Sequence, residues 1–363
     1  MDTSKETGYC LGSYRFHDGT VYSLEVFYAD KDVIAMNTGF RPSVQRRNAK
    51  SVQPEENERG PVHKMVLVTG SHDTEIAVST VQKGYKKEMG IHVNASKVFS
   101  LNGHSADVYA IEVLPEADSS SGSMRLGHII SAGDYTVRAW DLEKRVATSI
   151  FSGHTGFIAC IKVRGKRAFS GSWDTTIRSW NLETGKPMHV FKGHNNIVNC
   201  IDVTNADLFS GSWDQTIIRW SRATGEPVIS YRGHTDGVQC LQVYEGLLIS
   251  GSMDKTVRVW DIPSGRTLRV MKGHTAGIEC LHIAQDVCFT GSYDKTARCF
   301  NLDTGECLMI FEGHTDGIYC IKFFEGLLFT GSGDKSVRIW DANFVVRKRQ
   351  QRLGFCCLQD STK

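Results

Sequence analysis

Gly193–Trp220 reads GHNNIVNCIDVTNADLFSGSWDQTIIRW, and forty residues further on Gly233–Trp260 reads GHTDGVQCLQVYEGLLISGSMDKTVRVW. The Gly-His pair that opens both stretches also stands at Gly153-His154, Gly273-His274 and Gly313-His314, a period of 40 without a gap, and at Gly103-His104, 50 residues before the first of these. In the quoted stretches the histidine leads into an apolar alternation, then Gly-Ser-x-Asp, then a second alternation ending in an aromatic residue. Short period-2 runs punctuated by Gly, Asn and Asp read as antiparallel strands joined by tight turns. Four such strands per repeat make one blade of a β-propeller.

The array resembles the WD40 repeat family over essentially residues 6–341. The resemblance implies an all-β fold, a seven-bladed WD40 β-propeller. A degenerate seventh copy lies at the N-terminus. Glu6-Thr7-Gly8-Tyr9-Cys10-Leu11 lines up without a gap with Asp303-Thr304-Gly305-Glu306-Cys307-Leu308, His17 falls on His314, and Val21-Tyr22-Ser23-Leu24 falls on Ile318-Tyr319-Cys320-Ile321. The last blade, which runs out at Trp340-Asp341, needs an outer strand, and residues 8–16 are its natural donor. WD40 proteins commonly close their ring this way, and closure removes the unpaired edges that an open propeller would expose. The expected organisation is one propeller over residues 1–341, with an insertion of about residues 30–64 in the first blade, followed by a basic C-terminal tail over 342–363.

Lys and Arg number 42 against 40 Asp and Glu, a formal net charge of +2. No global field therefore recruits nucleic acid or a membrane. No run of 18 apolar residues is present, and Met1-Asp2-Thr3-Ser4-Lys5-Glu6 lacks the apolar stretch of a signal peptide. The expectation is a monomeric propeller in the cytoplasm or nucleus, without cofactor or metal.

Histidine, serine and aspartate at fixed spacing invite a hydrolase reading. Yet His154, Ser170, Asp174 and Trp180 return as His194, Ser210, Asp214 and Trp220, as His234, Ser250, Asp254 and Trp260, and as His314, Thr330, Asp334 and Trp340. An enzyme needs one triad, not four equivalent ones. The set resembles the structural tetrad of WD40 repeats, a buried relay that specifies packing. Three blades depart from it: Phe300 replaces the tryptophan, Ile130 stands where Ser or Thr is expected beside His104, Asp134 and Trp140, and Ser79 takes the tryptophan position beside His17, Thr69 and Asp73. Cys160, Cys200, Cys240, Cys280 and Cys320 share one repeat position on the innermost strand, where cysteine acts as a small buried hydrophobe. Spacings of the C-x-x-C kind that hold a metal are missing from the repeats.

The resemblance also implies a partner face, the top, which carries the Gly-His loops and the aspartate turns. Three positions per blade recur there as contacts: three and five residues after the histidine and one before the aspartate. On this chain they include Tyr22, Asp107, Tyr109, Phe157, Trp173, Trp213, Met253, Glu279, Tyr293 and Tyr319, and neither Lys nor Arg. Large aromatics beside exposed turns are the stuff of hot spots, so the expected partner is a protein or peptide with an apolar, aromatic or Arg/Lys anchor.

Polar insertions at about 30–64, Gln82–Ala95 and Pro115–Ser123 fall at strand junctions on the opposite, bottom face. The function implied is a non-catalytic scaffold or adaptor. The alternative is the substrate-recognition subunit of a ubiquitin ligase complex, because the compact blades resemble those of F-box/WD-repeat proteins and TRAF-type RING ligases. Against that, a Trp-Asp-x-Arg motif is missing: the corresponding segments include Trp140-Asp141-Leu142-Glu143 and Trp260-Asp261-Ile262-Pro263.

Overall fold

The computed structural model describes residues 7–28, 63–86, 90–117, 124–142 and 144–343. They form 28 strands arranged as seven four-stranded antiparallel sheets, a seven-bladed propeller. Blade 3 shows the repeating unit: β10 (Ile158–Arg164), β11 (Arg167–Ser172), β12 (Ile177–Asn181) and β13 (Pro187–Phe191), paired in chain order from the inside outward. Blade 7 breaks chain order. Its outermost strand is β1 (Cys10–Tyr14), which pairs with β28 (Val337–Asp341), so the first strand of the chain closes the ring as the repeat alignment predicts.

The buried core is divided among the boundaries between blades. Phe169, Ile177 and Phe191 of blade 3 pack with Val198, Leu208 and Trp220 of blade 4, and six similar clusters occupy the other six boundaries. Each strand points alternate residues into the clusters on its two sides, which accounts for the short apolar alternations. No blade buries its apolar faces alone, so stability depends on a complete ring.

The glycine of the Gly-His pair has a local cause. Gly153 and Gly233 sit at φ of +156°, and a β-carbon there would lie 3.2 and 3.1 Å from the indoles of Trp180 and Trp260. Only glycine combines that backbone with that approach.

Two sequence expectations change. Gln82–Ala95 is no loop insertion. β4 (Ile76–Lys86) and β5 (Gly90–Leu101) form one long hairpin in which Gln82 faces Asn94 and Tyr85 faces Ile91. Part of the next insertion is also strand, because Pro115 and Ala117 pair with Leu126 and Met124. Residues 30–62 of the first insertion, 118–123 of the third and 344–363 of the tail lie outside the described residues, whereas 63 and 64 belong to β3 (His63–Ser71).

Candidate functional site

The four repeated sets form closed relays. In blade 4 the Trp220 indole donates to Ser210 Oγ at 2.7 Å, Ser210 Oγ meets His194 Nε2 at 2.7 Å, and His194 Nδ1 meets Asp214 at 2.8 Å. Blades 3, 5 and 7 repeat it through Ser170, Ser250 and Thr330. A carboxylate only accepts, so Nδ1 carries the proton, Nε2 accepts from the hydroxyl, and the hydroxyl accepts from the indole. Every polar atom is matched within the protein, which ties three strands and a turn together and leaves no hydroxyl free to attack a substrate.

Blade 2 corrects the sequence reading. Its relay runs through Ser131, not Ile130. Ser131 Oγ lies 2.6 Å from His104 Nε2 and accepts from Trp140 Nε1 at 2.7 Å, while His104 Nδ1 lies 3.2 Å from Asp134. Ser131 stands opposite Arg138 as Ser170 stands opposite Arg178. The turn to Asp134 is one residue shorter than in the other blades, so counting back four residues misplaces the hydroxyl. In blade 6 Thr290 meets His274 at 2.7 Å, but Phe300 donates nothing. In blade 1 His17 meets Thr69 and Asp73, and the buried Ser79 Oγ has no hydrogen-bond partner among the described residues.

The tetrad aspartates give the fold an acid limit. Burial acts to raise their carboxyls, but the histidine N–H, a neighbouring hydroxyl or backbone N–H groups outweigh it, and Asp73, Asp134, Asp174, Asp214, Asp254, Asp294 and Asp334 all titrate below their usual range. Burial also lowers His234 and His274. Groups with lowered folded values bind protons first in the unfolded state, so they stabilise above the unfolded value and lose that contribution as pH falls. The urea midpoint is expected to slip as pH falls through the histidine range near ~6.5, then to drop steeply below about 4, as the carboxyls protonate. A midpoint that is flat from pH 7 to 3 contradicts this.

A central channel of ≈ 530 Å³ is lined by all seven blades. The repeated cysteines and, at the same position, Ser23 and Ala110 line its upper wall. Burial pushes the Cys160 thiol up to about 12 and those of Cys200, Cys240, Cys280 and Cys320 well above the ordinary value, which favours the neutral thiol. Two residues deeper, Lys322 pairs with Glu25 at 2.9 Å and Lys162 with Glu112. Among the described residues, His17, Asp73 and Glu75 are grouped closely enough to hold a metal ion. Their atoms are already engaged, the first two with each other and Glu75 with Lys97 and Ser100.

At the top mouth the expected contact residues come together in two arcs. The aromatic arc runs Tyr293–Tyr319–Tyr22–Tyr109–Trp173–Phe157, with neighbouring ring centroids 5.0–6.1 Å apart. Tyr135, which the repeat pattern does not single out, extends it by stacking on Phe157 at 5.1 Å. The polar arc completes the rim. Trp213 Nε1 and Asn199 Nδ2 donate to Gln239 Oε1 at 2.9 and 2.6 Å, and Gln239 Nε2 donates to Glu279 at 2.9 Å. Glu279 also hydrogen-bonds Tyr293. Across the mouth Asp107 accepts from Tyr109 at 3.1 Å and lies 2.7 Å from His72 Nδ1. Met253 stands apart from both arcs, its Sδ over Gly277. Gly237 and Gly317 likewise make room for Trp213 and Tyr293 of the preceding blades; a β-carbon there would lie 3.2 and 2.9 Å from the rings. The rim aromatics thus rest on neighbouring turns while staying open to solvent: Trp173 is 43 % exposed, Trp213 47 %, Tyr293 38 % and Tyr135 49 %.

No curated protein matches the chain. Among solved structures, the WD40 β-propeller domain of Doa1 superposes with a TM-score of 0.67 at 18% identity, over 92% of this chain and 97% of that one. The computationally designed Ika8 protein superposes with a TM-score of 0.62 at 21% identity, over 92% of this chain and 100% of that one. Both likenesses concern the fold. The family described as WD domain, G-beta repeat matches residues 95–141, 144–181, 185–221, 225–261, 265–301 and 305–341, more than half of the chain. On that match, and with its ring of tetrad-bearing blades, the chain belongs to the WD40 repeat family, whose propellers are generally non-catalytic scaffolds that bind proteins or peptides.

Proposed function

We propose that this propeller is a protein-interaction adaptor and that its top rim is the docking site for a peptide or a protein loop. One observation carries the reading: an unbroken arc of seven aromatic rings from Tyr293 to Tyr135, three of them (Tyr293, Trp173 and Tyr135) open to solvent together with Trp213 of the polar arc, around a concave mouth. Exposed aromatic clusters of this kind mark interaction surfaces. Tyr and Trp bring large contact area with few rotatable bonds, so little entropy is lost on binding. The rim has no Lys or Arg at its contact positions, which disfavours a phosphorylated partner, since phosphate recognition uses arginine clusters.

The test is affinity capture with the full chain, wild type against a Trp173→Ala/Trp213→Ala double variant, with Leu268→Ala on the outer perimeter as the control. Hot-spot truncations cost about 2 kcal/mol or more each. The double variant is therefore expected to lose at least tenfold in partner recovery at unchanged melting temperature, and the control to lose nothing. Equal recovery by all three refutes the reading. A substrate receptor of a ubiquitin ligase would hold its peptide on the same rim, and ligase subunits among the captured proteins separate receptor from adaptor.

A further inference from the structure

The charge balance at the mouth is unequal, and it points to the kind of anchor the rim accepts. Asp107 and Glu279 line the mouth, and the exposed Asp316 lies near Tyr319. Asp107 is answered by His72 at 2.7 Å and by the Tyr109 hydroxyl. Glu279 meets only neutral donors, Gln239 at 2.9 Å and Tyr293, and no Lys, Arg or His lies within ion-pair distance of it among the described residues. Carboxylates in such settings are ordinarily paired. Tyr293 and Tyr319 meet edge to face at 5.5 Å, and Tyr319 and Tyr22 at 5.4 Å, and the first two of these rings neighbour the unanswered carboxylate. An aromatic face attracts a cation, and a carboxylate behind it adds to that attraction.

We infer that the rim takes a peptide whose anchor is a cationic side chain, lysine or arginine, seated at the Tyr22–Tyr319–Tyr293 corner with its charge on Glu279. The inference rests on the rim being the docking site. An apolar anchor would cover the Glu279 carboxylate and leave it without a counter-charge; a cation supplies the missing partner.

The site carries its own pH signature. Burial pushes the Glu279 carboxyl up to about 7 despite its bonds to Gln239 and Tyr293. A cation binds the carboxylate, so below pH 7 the free site must give up a proton before binding. Affinity is expected to fall about tenfold from pH 8 to pH 6. The other titratable groups facing Glu279 are the Tyr293 and Tyr319 phenols and the Cys240 and Cys280 thiols, all raised by burial and neutral across that range. Asp107 and His72 face the mouth from the far side, so His72→Gln is measured alongside.

The probes are four fluorescein-labelled pools of degenerate nonapeptides, free of Lys and Arg except at a fixed central residue that is arginine, lysine, citrulline or norleucine. Anisotropy with the full chain is read at pH 8 and pH 6. A cationic pool is expected to bind at least tenfold tighter than both neutral pools at pH 8. That preference should shrink about tenfold at pH 6, also in His72→Gln, and vanish in Glu279→Gln at an unchanged melting temperature. A preference that Glu279→Gln retains overturns the inference. So does equal binding of all pools, no binding included. Equal binding that Trp173→Ala/Trp213→Ala abolishes overturns the cationic anchor while the docking face stands, and equal binding that the double variant keeps removes both.

Discussion

A chain that begins at Arg15, without β1, is expected to give no stable folded monomer. β1 places Cys10 opposite Trp340, Ser13 opposite Arg338 and Tyr14 opposite Val337. The Tyr9 carbonyl accepts from the Asp341 N–H at 3.0 Å, and the Gly8 N–H donates to the Ile310 carbonyl at 2.8 Å. Leu11 and Tyr14 pack on the cluster between blades 7 and 1, and the Tyr14 hydroxyl donates to the Val93 carbonyl at 2.7 Å, which ties the closing strand to the long hairpin of blade 1. Half a dozen backbone bonds at about 1 kcal/mol net and two apolar side chains at about 2 kcal/mol each make a loss on the order of 10 kcal/mol. That rivals the whole stability of an ordinary domain, about 5–15 kcal/mol. The bared edge of β28 would in addition pair with other chains. The control is a permuted chain that runs from Arg15 to Ala342 and continues directly into Glu6–Tyr14. There Glu6 follows Ala342 as Asp303 follows Leu302, so the last blade becomes an ordinary one. Size exclusion and thermal melting should show aggregation for the truncated chain and a folded monomer for the permuted one. A truncated chain that melts within a few degrees of the full chain sinks the closure argument.

What was legible in the sequence was whatever the forty-residue period repeats. The strand alternation, the tetrads of blades 3, 4, 5 and 7 and the closing strand are all periodic, because each blade solves the same packing problem. Two misreadings came from local changes of length. Counting back from Asp134 lands on Ile130, since only the strand register, Ser131 opposite Arg138, reveals the shorter turn. The polar stretch 82–95 resembles a loop in composition, yet its two strands pair along their length, and Val93 and Ala95 pack on the cluster between blades 7 and 1. At the rim, the family resemblance, carried over by repeat position, pointed to Tyr22, Tyr109, Trp173, Trp213, Glu279, Tyr293 and Tyr319. It did not pair them, because the bonds that matter link different blades: Trp213 to Gln239 and Gln239 to Glu279. One signal was available. Gly237, Gly277 and Gly317 each follow a blade with a bulky residue before its aspartate, Trp213, Met253 and Tyr293, and a missing side chain beside a large one is a packing statement.

Within the ring, Trp220→Ala is expected to be among the most damaging single substitutions. Trp220 is fully buried, its ring centroid 5.9 Å from Phe191 and 6.0 Å from His194, and its indole supplies the only indole N–H in the blade 4 relay. Truncating a buried tryptophan costs about 3–5 kcal/mol through lost burial and the cavity left behind, and Ser210 loses its donor as well. Trp220→Phe separates the two effects. It keeps most of the ring and removes the donor, so a cost of about 1–2 kcal/mol is expected, one hydrogen bond plus a smaller void. Blade 6 already contains that variant as Phe300. A β-carbon on Gly273 would lie 3.7 Å from Phe300, against 3.1 Å from Trp260 for the same atom on Gly233, so the shorter ring leaves space where an indole would reach. Phe300→Trp is therefore expected to stabilise by about 1 kcal/mol, as the new indole donates to Thr290. Urea unfolding should rank the proteins Phe300→Trp, wild type, Trp220→Phe and Trp220→Ala, from most to least stable. If Trp220→Phe costs as much as Trp220→Ala, the relay rather than the packing governs the blade; if Phe300→Trp destabilises, the pocket in blade 6 has closed around phenylalanine and its tetrad cannot be completed by a single residue.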